Sequence, residues 1–374
     1  MGRKYFACTL NTYKLPHMQL PYQLTQQKQV HRLWKSIQLI FWSIGCVIFL
    51  ALIFFPKTGV LLFWNILIPV APALLVFATG FWRNVCPLST TVLLPRYLNV
   101  SKRKRISVQW QSRLHFISIL ALYIIVPLRH PVFNNNGHAT ALLLMLLIAV
   151  GITMGFFFDW KSAWCSTLCP IHHVEKLYGG KQLFSLPNAH CTECVNCSLP
   201  CPDSTPNFHP GKAHKSILQK INALLIIGGF PGFIWGWFQV PDVYDTTIPI
   251  QLFNVYALPW MGAAGSIILF LCLISFLDKK SADVLIQIFA AAAVSTYYWY
   301  RIPELFGFSK IGKDGLLISL KNTLPEWVIT FLVILLISVF VWWLVFNKTR
   351  HKSWLIRPVF AKRKEQAFHS LNKQ

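Results

Sequence analysis

The sequence predicts an all-α bundle of about eight membrane spans, and three observations predict it. Apolar residues make up 55% of the chain, they fall in long blocks from end to end, and the basic residues collect in alternate gaps between the blocks. With 374 residues and only 13% charged, the chain is too apolar for two ordinary soluble domains. The formal net charge of +23 also does not indicate nucleic acid, because the Lys and Arg residues lie between apolar blocks rather than along one soluble face. The partner that the composition implies is the lipid bilayer.

Crossing the hydrocarbon core takes about 20 mostly apolar helical residues. The stretches that qualify are Ser36 to Phe55, Val60 to Gly80, Leu114 to Leu128, Thr140 to Phe158, Ile217 to Phe238, Pro259 to Leu277, Val284 to Tyr300 and Glu326 to Phe346. The third is the shortest, and His115 and Arg129 are expected to snorkel to the interfaces at its ends. Met1 to Lys35 is polar and basic, and no small-residue cleavage site follows the first apolar block, so that block is expected to stay as an anchor. The chain thus divides into a basic tail (1–35), four spans (36–160), a hydrophilic insertion (161–216), four more spans (217–346) and a second basic tail (347–374).

Cytoplasmic connections carry an excess of Lys and Arg. Of the 35 such residues, all except Lys57, Arg129, Arg301, Lys310, Lys313 and Lys321 fall in the two tails, the connection between the second and third spans with its Lys102-Arg103-Lys104-Arg105 run, the long Lys161 to Lys220 segment and the Lys279-Lys280 turn. This predicts an even number of spans with both termini and the insertion in the cytoplasm.

The insertion holds the strongest motif. Cys191, Cys194, Cys197 and Cys201-Pro202 form an uninterrupted C-x2-C-x2-C-x3-C-P run. Thiolates at this spacing wrap a cubane iron–sulfur cluster, a soft-ligand site, and the proline turns the chain away. Zinc sites favour paired C-x2-C elements separated by a longer loop, and disulfides do not suit a reducing compartment. An insertion this short lacks the length for a hydrophobic core, so a metal centre would also order it.

Two further Cys-Pro elements form an internal echo. Cys165 and Cys169-Pro170 follow the fourth span as C-x3-C-P, and Cys86-Pro87 follows the second, both on the side of the insertion. The expectation is that these turns converge and that the insertion folds over them, bringing Cys86, Cys165, Cys169, Cys191, Cys194, Cys197 and Cys201 together as ligands for one or two [4Fe-4S] clusters. Cys86 has an alternative reading as a packed small hydrophobe, and Cys46 and Cys272 are read as mid-span packing residues. Cys8 in the tail lies in no ligand-like loop.

These elements together resemble the membrane polyferredoxins, a family that includes the quinol dehydrogenase subunits of periplasmic nitrate reductase systems, the nitrous oxide reductase regulator and the cytochrome oxidase assembly ferredoxins. The resemblance covers about Val60 to Pro202. It implies a bacterial inner-membrane protein passing electrons between quinone or quinol and a protein redox partner, with Cys191, Cys194, Cys197 and Cys201 as the ferredoxin ligands and Cys165 and Cys169 as the membrane-edge pair. The chain differs in having Trp82 where the first edge motif would carry a cysteine, and in having one ferredoxin loop.

Two other function classes stay open: a membrane redox or iron sensor or assembly factor, and a transporter with a structural metal site. A haem b would need two facing axial ligands, which His130 and His138 can supply, although solvated interfacial histidines are the plainer reading. His172, His173 and His190 adjoin the cysteine motifs and are read first as exposed loop histidines. Gly228 to Gly232 is expected to break the fifth span, either as a quinone pocket or as a packing notch, and Tyr297 to Tyr300 with Trp342 and Trp343 as interfacial belts.

Overall fold

The computed structural model describes residues 20–104, 106–158, 163–187, 189, 216–240, 249–308, 315–348 and 355–356. The four-cysteine run, together with His190 and Cys8, lies outside the described residues. In chain order the helices are α1 (Leu20–Phe54), α2 (Pro56–Phe77), α3 (Thr79–Val85), α4 (Pro87–Val92), α5 (Leu94–Tyr97), α6 (Val108–Ile125), α7 (Gly137–Phe157), α8 (Pro170–Tyr178), α9 (Ile217–Phe238), α10 (Pro249–Ser275), α11 (Lys279–Leu305) and α12 (Glu326–Phe346). Two short strands, β1 (Leu186–Pro187) and β2 (Leu355–Ile356), pair in parallel.

Among the described residues, seven helical segments are long and apolar enough to cross a bilayer: Arg32–Phe54, Pro56–Phe77, Gln109–Arg129, Gly137–Phe157, Ile217–Phe238, Phe253–Ser275 and Glu326–Phe346. Their outward faces carry large apolar side chains, with Phe54 69%, Phe331 59% and Leu269 54% exposed. A soluble monomer rarely shows so wide an apolar surface, whereas lipid covers it without cost. The molecule is a multi-pass helical membrane protein. The eighth expected stretch, Val284 to Tyr300, folds as α11, whose 27 residues span about 40 Å. It falls short of the others on composition because Asp283, Gln287 and the Tyr297 to Tyr300 run interrupt its apolar residues.

Those polar groups are tolerated because α11 is enclosed by protein. Ala290, Ala291, Ala293 and Val294 are buried in the main core with Phe233 of α9 and Phe340 of α12. Tyr297 and Tyr298, expected at an interface, are instead 7% and 6% exposed. The Tyr298 hydroxyl donates to the Pro69 carbonyl (2.6 Å) and accepts from the Ala73 N–H (3.0 Å). It is thereby bonded into α2 next to Pro72, which has no N–H to give to the helix. Trp299 (46% exposed) and Trp342 (56%) face outward, while Trp343 is buried.

The glycines of the fifth span make a packing notch. A Cβ on Gly232 would meet the Gly262 carbonyl, and one on Gly236 the Leu258 carbonyl, so only hydrogen at these positions lets α9 and α10 approach backbone to backbone. The chain there widens into a π-helical turn, Leu224–Gly229, whose carbonyls are taken up from outside the helix: Tyr123 Oη donates to Leu225 O at 2.8 Å, and Ser266 Oγ donates to Gly228 O.

Small residues also join the two Cys-Pro copies. Gly151 and Gly155 of α7 face Val92 at the end of α4, and Val92, Leu93 and Trp164 form a buried cluster against which Cys165 and Cys169 pack. At the same end of the bundle, Trp34 of α1 packs with Val85 and Ala189, and the tail strand β2 pairs with β1. The starts of the insertion and of the C-terminal tail therefore share one end with both Cys-Pro turns.

Candidate metal centre at the paired Cys-Pro turns

Both turns are built the same way. Proline at the first position of a helix costs nothing, because that N–H would have no partner, and it forces the residue before it into extended backbone. Cys86 (φ −55°, ψ 117°) precedes Pro87 at the start of α4, and Cys169 (φ −67°, ψ 119°) precedes Pro170 at the start of α8. Each cysteine N–H donates to a tryptophan carbonyl at 3.0 Å, Cys86 to Trp82 and Cys169 to Trp164. Trp82 lies four residues before its cysteine and Trp164 five. The extra residue is absorbed by the π-helical turn Trp164–Leu168. Trp82, read from sequence as a missing cysteine, is thus the counterpart of Trp164.

The three edge cysteines surround one buried ion pair. Arg83 of α3 and Glu175 of α8 are paired, with side chains 5% exposed on both sides, and Arg83 Nη1 also donates to His172 Nδ1 at 3.3 Å. Cys165 Sγ lies 3.8 Å from the Ser89 hydroxyl of α4, so the second motif touches the helix that the first motif starts.

Burial pushes the Cys86 thiol up, with the Ser89 and Leu88 N–H groups and Arg83 opposing it and Glu175 adding to it. Cys165 is pushed up to about 12 by burial, against the pull of Arg83. Cys169 rises well above the usual thiol range through burial, Glu175 and the other two cysteines. Although burial opposes it, Arg83 is held charged more firmly than usual by Glu175 and the cysteines. Burial thus favours the neutral thiols, and a metal cation binding there would displace their protons to water.

The histidines differ from expectation. His172 and His173 are each 5% exposed, and burial holds both well below the usual imidazole range. They are buried because α8 is enclosed by protein, with Glu175 to Tyr178 buried as well, and His115 of α6 packs edge-on to His173 (5.0 Å between centroids). His115 does not snorkel; its Nε2 donates to the Ser166 carbonyl at 2.7 Å. At the other end of α6, Arg129 is only 2% exposed and stays inside the bundle. His130 is buried and His138 exposed, so the two do not share one environment as a haem pair would. Cys272 is exposed on the outer face of α10 and not packed, while Cys46 is partly buried.

Sequence reasoning missed Asn84. It is fully buried beside Cys86, donates from Nδ2 to the Pro187 carbonyl (2.9 Å), accepts from the Ala189 N–H (3.1 Å), and its own carbonyl accepts from Gln38 (2.9 Å). One side chain thus clamps the insertion two residues before Cys191 to the first Cys-Pro turn. A lone Asn in an aromatic-basic stretch gives no signal of this.

Among the described residues no three Cys, His, Asp or Glu side chains stand in metal-binding geometry. The edge cysteines supply donors of the right chemistry but not a complete site by themselves. No protein-family model matches the chain, and neither a curated protein nor a solved structure shows significant similarity to it.

Proposed function

We propose that the chain is a membrane electron-transfer protein carrying one or two [4Fe-4S] clusters, with Cys191, Cys194, Cys197 and Cys201 as the principal ligands and Cys86, Cys165 and Cys169 as the membrane-edge set. The observation that carries this reading is the Asn84 clamp. It ties the residues just ahead of the C-x2-C-x2-C-x3-C-P run to the turn holding Cys86, beside Cys165 and Cys169. Such a cluster supplies one-electron chemistry when bound. Arg83 would favour its reduced, more negative state, the packed tryptophans would keep water away, and Asn84 would hold the insertion in place. The resemblance suggests quinol as the electron donor and a protein as the acceptor. Purified anaerobically, the protein is expected to contain iron and acid-labile sulfide at one or two cubanes per chain, reducible by added quinol in lipid. Stoichiometric zinc without iron would end this reading in favour of a structural metal site, and a cluster inert to quinol would favour a sensor or assembly factor.

The same reading places an even-spanned bundle in a bacterial inner membrane, with α11 as the eighth span and both tails and the insertion in the cytoplasm. The β1–β2 pairing and the Trp34–Ala189 contact support a common side for these segments. Burial of Arg129 and Arg301 sharpens the charge bias, since it withdraws two of the six basic residues from the opposite loops. Reporter fusions after Gly180 and at Gln374 are both expected to behave as cytoplasmic; a periplasmic signal from either overturns the topology.

A further inference from the structure

The last carbonyls of a helix have no partner within it and must be met from elsewhere. For α7 they are met by the chain that follows α4. Ser101 Oγ donates to the Gly155 carbonyl at 2.7 Å, and the Lys102 and Lys104 N–H groups donate to the Phe156 and Phe157 carbonyls at 2.7 and 3.1 Å. A Cβ on Gly155 would meet the Val92 carbonyl, so the same chain also lies close against the last turns of α7. Phe157 is the last residue of a membrane-crossing segment. The segment 94–104 is therefore fixed at the level where that span leaves the bilayer.

Two kinds of side chain are exposed on it. Leu94, Leu98 and Val100 present apolar surface, and the exposed Lys102, Arg103 and Lys104 follow directly. The Lys102 ammonium lies over the Phe156 and Phe157 rings, 5.3 and 5.0 Å from their centroids. Among the described residues none of these three cations is in an ion pair, and the sequence has no Asp or Glu before Asp159. Arg103 also has φ +50°, a left-handed backbone that side chains other than those of Gly, Asn and Asp rarely adopt. The Lys102 and Lys104 bonds to α7 on either side of it hold it there. Strain of this kind persists only where the surroundings impose it, and it concentrates at functional positions.

Three unneutralised cations next to exposed apolar side chains, at the depth of the headgroups, match an anionic amphiphile. An acidic soluble protein fits less well, because the apolar part of the patch lies beside the span, where lipid already stands. We propose that the segment 94–104 binds an anionic phospholipid, with Lys102, Arg103 and Lys104 holding its phosphate and Leu94, Leu98 and Val100 packing against its acyl chains. This site rests on the multi-pass membrane fold and not on the electron-transfer reading.

The test uses the full-length protein, delipidated in neutral detergent, with thermal unfolding followed against phosphatidylglycerol, phosphatidylcholine, glycerol 1-phosphate and polyglutamate at matched ionic strength. A saturable rise in unfolding temperature with phosphatidylglycerol, larger than with any of the other three, is expected. Arg103→Asn separates binding from folding, because asparagine tolerates the left-handed backbone. Without lipid this variant is expected to unfold at the same temperature as the parent or higher, while its affinity for phosphatidylglycerol falls about 5-fold. Lys102→Gln/Lys104→Gln should lose more, and Lys57→Gln, at the opposite end of the bundle beside the start of α7, should lose nothing. Equal stabilisation by phosphatidylcholine or glycerol 1-phosphate, unchanged affinity in Arg103→Asn, or the same loss in Lys57→Gln overturns the proposal. Equal stabilisation by polyglutamate overturns it in favour of an acidic protein partner.

Discussion

Replacing Cys165 by Ser is expected to remove about half of the iron and to abolish one of two electron paramagnetic resonance signals, with Cys86→Ser giving the same result. In two-cluster ferredoxins the fourth cysteine of each run ligates the other cluster. A crossed arrangement here would join Cys191, Cys194 and Cys197 to Cys169, leaving Cys201, Cys165 and Cys86 for the second centre. The near-identical backbone of the two Cys-Pro turns and the contact of Cys165 with Ser89 make a shared centre physically reasonable. Serine is close to cysteine in volume, so the packing around Val92 and Trp164 should survive. Unchanged iron and spectra in both variants would instead leave one cluster on the four-cysteine run, with the edge cysteines serving only to pack.

Glu175→Ala is expected to destabilise the protein by about 3–5 kcal/mol, because it leaves the Arg83 guanidinium in a buried site without its carboxylate. The double variant Arg83→Met/Glu175→Met should recover most of that loss, since replacing both members of a buried pair by apolar groups is often neutral. Thermal or denaturant unfolding in detergent measures both. A single variant that unfolds like the parent would show that water reaches the pair. If the double variant keeps its fold but its cluster is reduced only at more negative potential, Arg83 acts on the metal centre and not merely on stability.

Much of the architecture was legible because its causes are local. Continuous apolar runs mark spans, and seven of the eight expected ones meet the requirements for crossing. The eighth, α11, is a long helix whose tyrosines dilute its hydropathy, and a count of apolar residues cannot tell a helix facing lipid from one enclosed by other helices. The Cys-Pro echo was legible for a related reason: proline imposes the same backbone on the residue before it wherever it occurs, so two Cys-Pro steps predict two like turns.

Side-chain surroundings were legible only in part. Arg129, His172, His173 and Tyr297 were expected near water, since polar residues next to span ends usually snorkel or solvate. All four are buried, each within the reach of groups distant in sequence: Arg129 against Trp64 and Trp237, His172 against Arg83, His173 against His115, and Tyr297 beside Phe238. Hydropathy, cysteine spacing and proline placement act through neighbouring residues, and they were enough to define a multi-pass helical membrane protein with paired Cys-Pro turns. Which polar groups meet inside it depends on contacts between residues far apart in the chain, such as Cys165 with Ser89 across 76 residues and Arg301 with Trp64 across 237. Those contacts form only when small residues, among them Gly151, Gly155, Gly232 and Gly262, let particular helix faces close on one another, and that selection belongs to the tertiary fold.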